Sequence, residues 1–298
     1  MAEISGVLCV NKAEGITSHG VVNRIRRLYN TKRVGHTGTL DPMAAGVLVV
    51  LIGRAAKAAE YIVSDIKEYD VTFRLGMTTD TGDITGTIMS QSDFIPDTAD
   101  VFNTADSFKG KIKQVPPMYS AIKINGQKLV NLARNGIEVE REARDVEIFD
   151  LKIESQSDDY RMNVVCSKGT YIRTLCTDIG DALKCGAVMT SLTRVRNGRF
   201  TISNSYTIED IENTEESARA GLLLPVEDLF ADLDIVKLPD FYAKLAGNGL
   251  EIYQKKIGTN FADGLYVRLY NENGFFALAK VKEFNDGSAL KPEKFFIL

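Results

Sequence analysis

Two hydrophobic periods mark out the chain. Over 67–75 apolar side chains take every second position, and Tyr69, Val71, Phe73 and Leu75 share one face, which predicts a half-buried strand. The run Val47-Leu48-Val49-Val50-Leu51-Ile52 behind Gly46 is uncharged and rich in β-branched residues, so it predicts a strand buried on both faces, far too short to span a membrane. Helical spacing appears in Val21, Val22, Ile25 and Leu28, with Arg24, Arg26 and Arg27 on the other sides and Ser18 placed to cap the helix. It returns in Ile172, Leu175, Cys176, Ile179 and Leu183, a helix opened by Gly169-Thr170-Tyr171 that holds Tyr171 and Arg173 in its first turn. Further strands are expected at 6–10, 118–124, 144–153, 161–167 and 188–200. Shorter helices are expected after Arg54, through Val101, Phe102, Ala105 and Phe108, over 128–135, and from Thr207. The stretch 30–43 shows neither period and reads as irregular. Beyond Lys237-Leu238-Pro239-Asp240 the pattern changes, and 265–270 and 275–281 flank Asn271-Glu272-Asn273-Gly274 as a hairpin. Residues 1–237 are therefore expected to form a large domain and 238–298 a small β-rich module.

Composition narrows the class. Of 298 residues 44% are hydrophobic and 26% charged, enough for a substantial core. No basic segment followed by an apolar run stands at the start of the sequence, so the cytoplasm is the expected location. Cys9, Cys166, Cys176 and Cys185 lack C-x-x-C spacing, and with only His19 and His36 beside them they read as reduced core thiols rather than zinc ligands. The net charge of -4 hides an asymmetry. Lys12, Arg24, Arg26, Arg27, Lys32, Arg33, Arg54 and Lys57 dominate the first sixty residues, and Arg161, Lys168, Arg173, Lys184, Arg194, Arg196 and Arg199 dominate 161–199, while acids gather in 209–234. Basic zones of this kind suit a phosphate backbone, although a solvated surface explains any one charge equally well.

Between the basic helix and the uncharged strand lies Gly35-His36-Thr37-Gly38-Thr39-Leu40-Asp41-Pro42-Met43-Ala44-Ala45-Gly46. Three glycines, a proline, a histidine and an isolated carboxylate exceed what a connector needs, and a loop carried by a rigid strand is a common seat for chemistry. A lone Asp-Pro also serves as a turn that bonds its own backbone. Asp41 lacks the second acid of a magnesium-dependent phosphoryl-transfer site, because Pro42 and Met43 follow it, and the motif holds no second carboxylate for a glycosidase pair. A single carboxylate nucleophile, kept ionised and aimed by an arginine, fits better. Thr78-Thr79-Asp80-Thr81-Gly82-Asp83-Ile84-Thr85-Gly86 has the look of a calcium loop, but Gly82 and Ile84 stand where oxygen ligands belong, so no metal is expected.

The segment Gly35-His36-Thr37-Gly38-Thr39-Leu40-Asp41-Pro42 resembles the active-site motif of the TruB family, the tRNA pseudouridine-55 synthases. Lys67-Glu68-Tyr69 with Leu75-Gly76 and Thr79-Asp80-Thr81-Gly82-Asp83, then Pro116-Pro117-Met118-Tyr119-Ser120-Ala121, Lys168-Gly169-Thr170-Tyr171-Ile172-Arg173 and Leu192-Thr193-Arg194, resemble its further motifs in the same order. The resemblance implies an α+β pseudouridine synthase fold: a mixed, mainly antiparallel central sheet flanked by helices, with a small C-terminal β-rich PUA-like module. It implies isomerisation of uridine in the T stem-loop of tRNA, without metal or cofactor, by a protein with no membrane contact and no obligate protein partner, expected to be a monomer. Asp41 would be the nucleophile, Arg173 its partner, and Tyr69 a catalytic ring stacked on the base. His36 would fill the place of the flipped nucleotide and Tyr171 and Leu192 would line the uracil pocket. Lys12 joins the substrate-binding set, from a first motif in which Ala13 stands where the family usually has proline. An RNA-folding factor without chemistry and an enzyme of the same fold acting on another RNA are the competing readings, and the intact Asp41, Tyr69 and Arg173 speak against the first.

Overall fold

Residues 4–62 and 66–296 are described by the computed structural model of the chain. Strand β1 (Gly6–Lys12) leads into helix α1 (Ser18–Leu28), a short strand β2 (Val34–Thr37) and β3 (Ala45–Ile52), and both β1 and β2 pair antiparallel with β3. The lack of charge in β3 has its expected result. Leu48, Val50 and Ile52 pack with Val21, Val22 and Ile25 of α1, while Val47, Val49 and Leu51 pack with Ala55 and Phe200 on the opposite face.

Two details differ from the expectation. The stretch 30–43 contains β2, whose Gly35 and His36 carry no periodic signal but find a ready partner in the edge of β3. The cap of α1 is Thr17, whose hydroxyl accepts from the Gly20 N–H, and Ser18 is the first helical residue. The buried Ser18 hydroxyl instead donates to the Leu40 carbonyl at 2.9 Å and accepts from the Leu40 N–H at 2.8 Å, which pins the loop beside Asp41 to the start of α1.

The chain continues through β4 (Lys67–Leu75), α2 (Thr98–Asp106), β5 (Gly110–Gln114), β6 (Arg144–Gln156), β7 (Asp159–Cys166), α3 (Ile172–Ala182) and β8 (Ala187–Asn197). The spatial order is β1-β3-β8-β4-β7-β6-β5, antiparallel except where β3 and β8 meet in parallel at Ala45–Thr193 and Gly46–Arg194. Alternation in β4 is as read: Tyr69, Val71, Phe73 and Leu75 enter the core, which α3 closes with Ile172, Leu175, Cys176 and Ile179. The other face of this half of the sheet is polar, with ion pairs Arg161–Asp70, Arg196–Glu68 and Arg74–Asp159. The strand expected over 118–124 shrinks to Lys123–Ile124, paired with Gln127–Lys128 around Asn125-Gly126, because the backbone ahead of it bonds elsewhere: the Ser120 N–H turns back to the Met118 carbonyl and the Tyr119 carbonyl accepts from Arg173.

At the contact of β3 with β8, Gly46 has φ +99°, and a Cβ there would lie 2.3 Å from the Arg194 carbonyl oxygen. Gly46→Ala is expected to lower stability by roughly 3 kcal/mol or more, read as a fall in Tm, since it combines backbone strain with a backbone clash.

A second sheet follows. Strand β9 (Ile235–Lys237), helix α4 (Asp240–Gly247), β10 (Ile252–Tyr253), β11 (Tyr266–Asn271), β12 (Gly274–Phe284) and β13 (Gly287–Phe295) give the order β9-β11-β12-β13-β10, with β11 and β12 as the expected hairpin. The first strand of this sheet lies just ahead of the boundary placed at 237/238. Phe275, Leu278 and Phe296 bind the sheet to Ala58 and Phe230 of the larger unit. All four cysteines are free and buried. No helix among the described residues is long and apolar enough to cross a membrane.

Candidate active site

Where the Asp41 loop, the start of β4, the end of β8 and the first turn of α3 converge, they enclose a cavity of about 260 Å³. Asp41, Tyr69, Tyr171, Arg173 and Leu192 all line it, so five of the seven residues singled out in the sequence come together across 151 positions of chain from Asp41 to Leu192. Register explains two of them: on β4 and β8, Tyr69 lies opposite Arg194 and Val71 opposite Leu192, which brings both strands' inward side chains to one wall.

Arg173 is the hub. Its guanidinium is 6% exposed, and its Nη2 lies 3.0 Å from the Asp41 carboxylate. The same group donates to the Thr81 carbonyl at 2.8 Å and the Tyr119 carbonyl at 2.7 Å, and stands 3.7 Å from Asp83. A planar guanidinium with fixed donors suits this task better than an ammonium would. Asp83 itself is held by Thr81 and Thr85, so the turn first compared with a calcium loop works as an anchor for the arginine.

Asp41 feels opposing forces. Burial raises its pKa, Arg173 lowers it, the nearby Asp83 raises it again, and the net direction is upward. Its side chain keeps 36% exposure toward the cavity, so the carboxylate is open to a ligand while crowded by protein.

Lys12 and His36 stand elsewhere. Lys12 is wholly buried, and its ammonium donates to the carbonyls of Ala13, Ile16 and Pro42 at 2.9, 2.8 and 3.3 Å. This corrects its expected place among substrate contacts: it ties the 13–16 loop to the peptide after Asp41, and burial pushes its pKa down to about 8. His36 lies on β2 outside the cavity lining, with Nδ1 buried and without a hydrogen-bond partner, and burial, helped by Arg194, lowers its pKa.

Sequence reasoning also missed residues. Arg194, expected in a basic zone suited to phosphate, is 1% exposed and donates from Nε to Val47 and from Nη2 to Gly38, stitching β8 to β3 and to the Asp41 loop. The basic cluster at 161–199 is therefore partly committed within the protein: Arg173 and Arg194 are buried, and Arg161, Arg196 and Arg199 pair with carboxylates at or near the surface. Gln114, 2% exposed, bonds the backbone of Tyr171. Its signal, a lone polar residue ending a short amphipathic strand, was too weak to find.

The site thus presents one carboxylate at a loop-to-strand junction, paired with a buried arginine beside two tyrosine rings and an aliphatic wall. Residues 26–172 match the TruB family pseudouridylate synthase N-terminal domain, and residues 173–231 match the tRNA pseudouridylate synthase B C-terminal domain. The chain belongs to the TruB family. It is 43% identical over 300 aligned positions to tRNA pseudouridine synthase B of Clostridium perfringens (strain 13 / Type A), covering 99% of each chain. It is 38% identical to tRNA pseudouridine synthase B of Francisella tularensis subsp. novicida, covering 98% of this chain and 95% of the relative. Among solved structures it resembles a chain of a Cbf5-Nop10-Gar1 complex, with a TM-score of 0.75 and 26% identity over 98% of this chain and 85% of that one. A chain of an H/ACA RNP bound to a substrate RNA containing 2'-deoxyuridine shares the fold, with a TM-score of 0.73 and 24% identity over 98% of this chain and 85% of that one.

Proposed function

We propose that the protein isomerises uridine 55 in the T-loop of tRNA to pseudouridine, with Asp41 as the nucleophile. The observation that carries the reading is the Asp41–Arg173 pair at 3.0 Å, open on one side to a cavity walled by Tyr69, Tyr171 and Leu192. A base buried in a folded RNA must be flipped out to reach such a cavity, and an aromatic ring and an aliphatic wall replace the stacking it loses. In the net reaction the C1′–N1 bond is exchanged for a C1′–C5 bond, C5 loses its proton and N1 gains one. The atoms balance without a co-reactant. Arg173 keeps Asp41 ionised, Tyr69 stacks on the base and stands to take the C5 proton, and Tyr171 and Leu192 hold the ring. Lys12 acts indirectly, by fixing the Pro42 carbonyl and so the Asp41 loop.

Phosphate contacts fall to part of the basic zone in the first sixty residues. Lys32, Arg33, Arg54 and Lys57 line an open cleft beside β2, on the chain that leads into the Asp41 loop. In this reading the large domain carries the chemistry, the second sheet, which begins at Ile235, forms a separate module beside it, and the protein acts as a monomer in the cytoplasm.

The test is release of tritium from a T-arm stem-loop RNA labelled at uracil C5. Release by the wild-type protein supports the reading, and binding without release defeats it for this RNA. A pH profile adds a second check. The nucleophile must be ionised and its pKa is raised, so the acid limb of kcat/KM is expected above the 3.8 of an unperturbed aspartate. An acid limb at or below that value would take Asp41 out of the role.

A further inference from the structure

Helix α3 begins without a cap of its own. Its N-cap is Tyr171, which offers no side-chain acceptor, and the hydroxyl of Thr174 at the third helical position is buried without a partner. In a capping box the side chain at that third position would accept from the N-cap N–H. Here the acceptor comes from a strand 57 residues away: Gln114 Oε1 accepts from the Tyr171 N–H at 2.7 Å. Its Nε2 donates to the Tyr171 carbonyl at 3.1 Å, the same carbonyl that accepts from Leu175 to close the first turn. One buried carboxamide thus satisfies both backbone groups of a cavity-lining residue.

The chain that leaves Gln114 then returns to the same helix. Five residues on, the Tyr119 carbonyl accepts from Arg173 at 2.7 Å, and the Ser120 side chain approaches the Tyr171 phenol closely enough to lower its pKa against the larger effect of burial. That approach falls short of a well-formed hydrogen bond, which leaves the Ser120 hydroxyl unpartnered. The segment 114–120 therefore grips Tyr171 and Arg173 from two sides.

We infer that Gln114 is a positioning residue for the reaction: its carboxamide sets the start of α3 so that the Tyr171 ring faces the cavity and the Arg173 guanidinium meets Asp41. The inference rests on the reading of Tyr171 and Arg173 as site residues. Gln114 touches no cavity space itself, and it acts through the backbone of Tyr171.

Gln114→Met keeps the bulk and removes both hydrogen bonds, while Gln114→Glu keeps an acceptor for the Tyr171 N–H and sets its second oxygen against the Tyr171 carbonyl. Each is measured for single-turnover conversion of saturating T-arm RNA, for RNA dissociation constant and for Tm, at a temperature well below the Tm of every variant. The rate is expected to fall about 30-fold or more in Gln114→Met and about 10-fold in Gln114→Glu, with the dissociation constant within about threefold of wild type, as loss of buried backbone partners displaces the helix start. A role in stability alone would move Tm and leave the saturated rate intact. If Gln114→Met does not fold, Gln114→Glu carries the test. A folded variant at the wild-type rate, or a loss confined to RNA affinity, overturns the inference. A wild-type protein that converts no T-arm RNA would instead defeat the functional reading.

Discussion

Asp41→Asn is expected to bind T-arm RNA as the wild type does and to convert it at least about 10⁴-fold more slowly, since an amide keeps the shape of the side chain and one acceptor for Arg173 but cannot act as a nucleophile. Single-turnover rates beside a binding isotherm separate the two effects. Stability should not suffer. The folded protein raises the pKa of Asp41, so its ionisation detracts from stability, and the penalty appears as pH rises through the folded value. A neutral isostere escapes that penalty, and the Tm of the variant at neutral pH is expected to match or exceed that of the wild type. A variant retaining more than about one per cent of the activity would exclude the carboxylate as nucleophile.

The opposite balance holds for Arg173→Ala. That change leaves the Thr81 and Tyr119 carbonyls without their donor and strands Asp41 and Asp83 close to each other without their shared cation. Removing one partner of a buried pair costs about 3 to 5 kcal/mol, and a urea titration should show a loss of that order. Activity should fall by about 10³-fold, because the cation that holds the nucleophile ionised is gone. The acid limb of any residual activity should move to higher pH, since burial and Asp83 then act on Asp41 unopposed by the guanidinium. Arg173→Lys should recover part of the pH shift and little of the rate, as one ammonium cannot reach two carbonyls and a carboxylate in a plane. Unchanged stability with a wild-type acid limb would show that the contact is incidental.

These effects trace back to what a linear pattern conveys. Period and charge gave β3 its two buried faces, β4 its single one and α3 its apolar stripe, because burial acts on each side chain in turn. The strand at Gly110–Gln114 escaped notice because Lys111 and Lys113 flank a single half-buried Ile112, which leaves too little alternation to read. The motif at Met118 looked extended, yet its backbone serves Arg173 rather than a neighbouring strand. Asp41 and Arg173 were legible through residue type and family resemblance. Lys12 and Arg194 were legible as cations and not as buried donors, since a sequence says that a charge exists and not which carbonyls surround it. Gln114 was hidden for the same reason.

The parallel meeting of β3 and β8 has one more consequence. It spans two residue pairs, against seven between β1 and β3. Asp41 enters from one side of that seam and Arg173 and Leu192 from the other, with Arg194 as the main stitch between them. Folding must close a loop of well over a hundred residues before the pair exists, so the reactive centre is assembled late. In the folded protein a change that weakens the Arg194 stitch would part Asp41 from Arg173 without altering either residue.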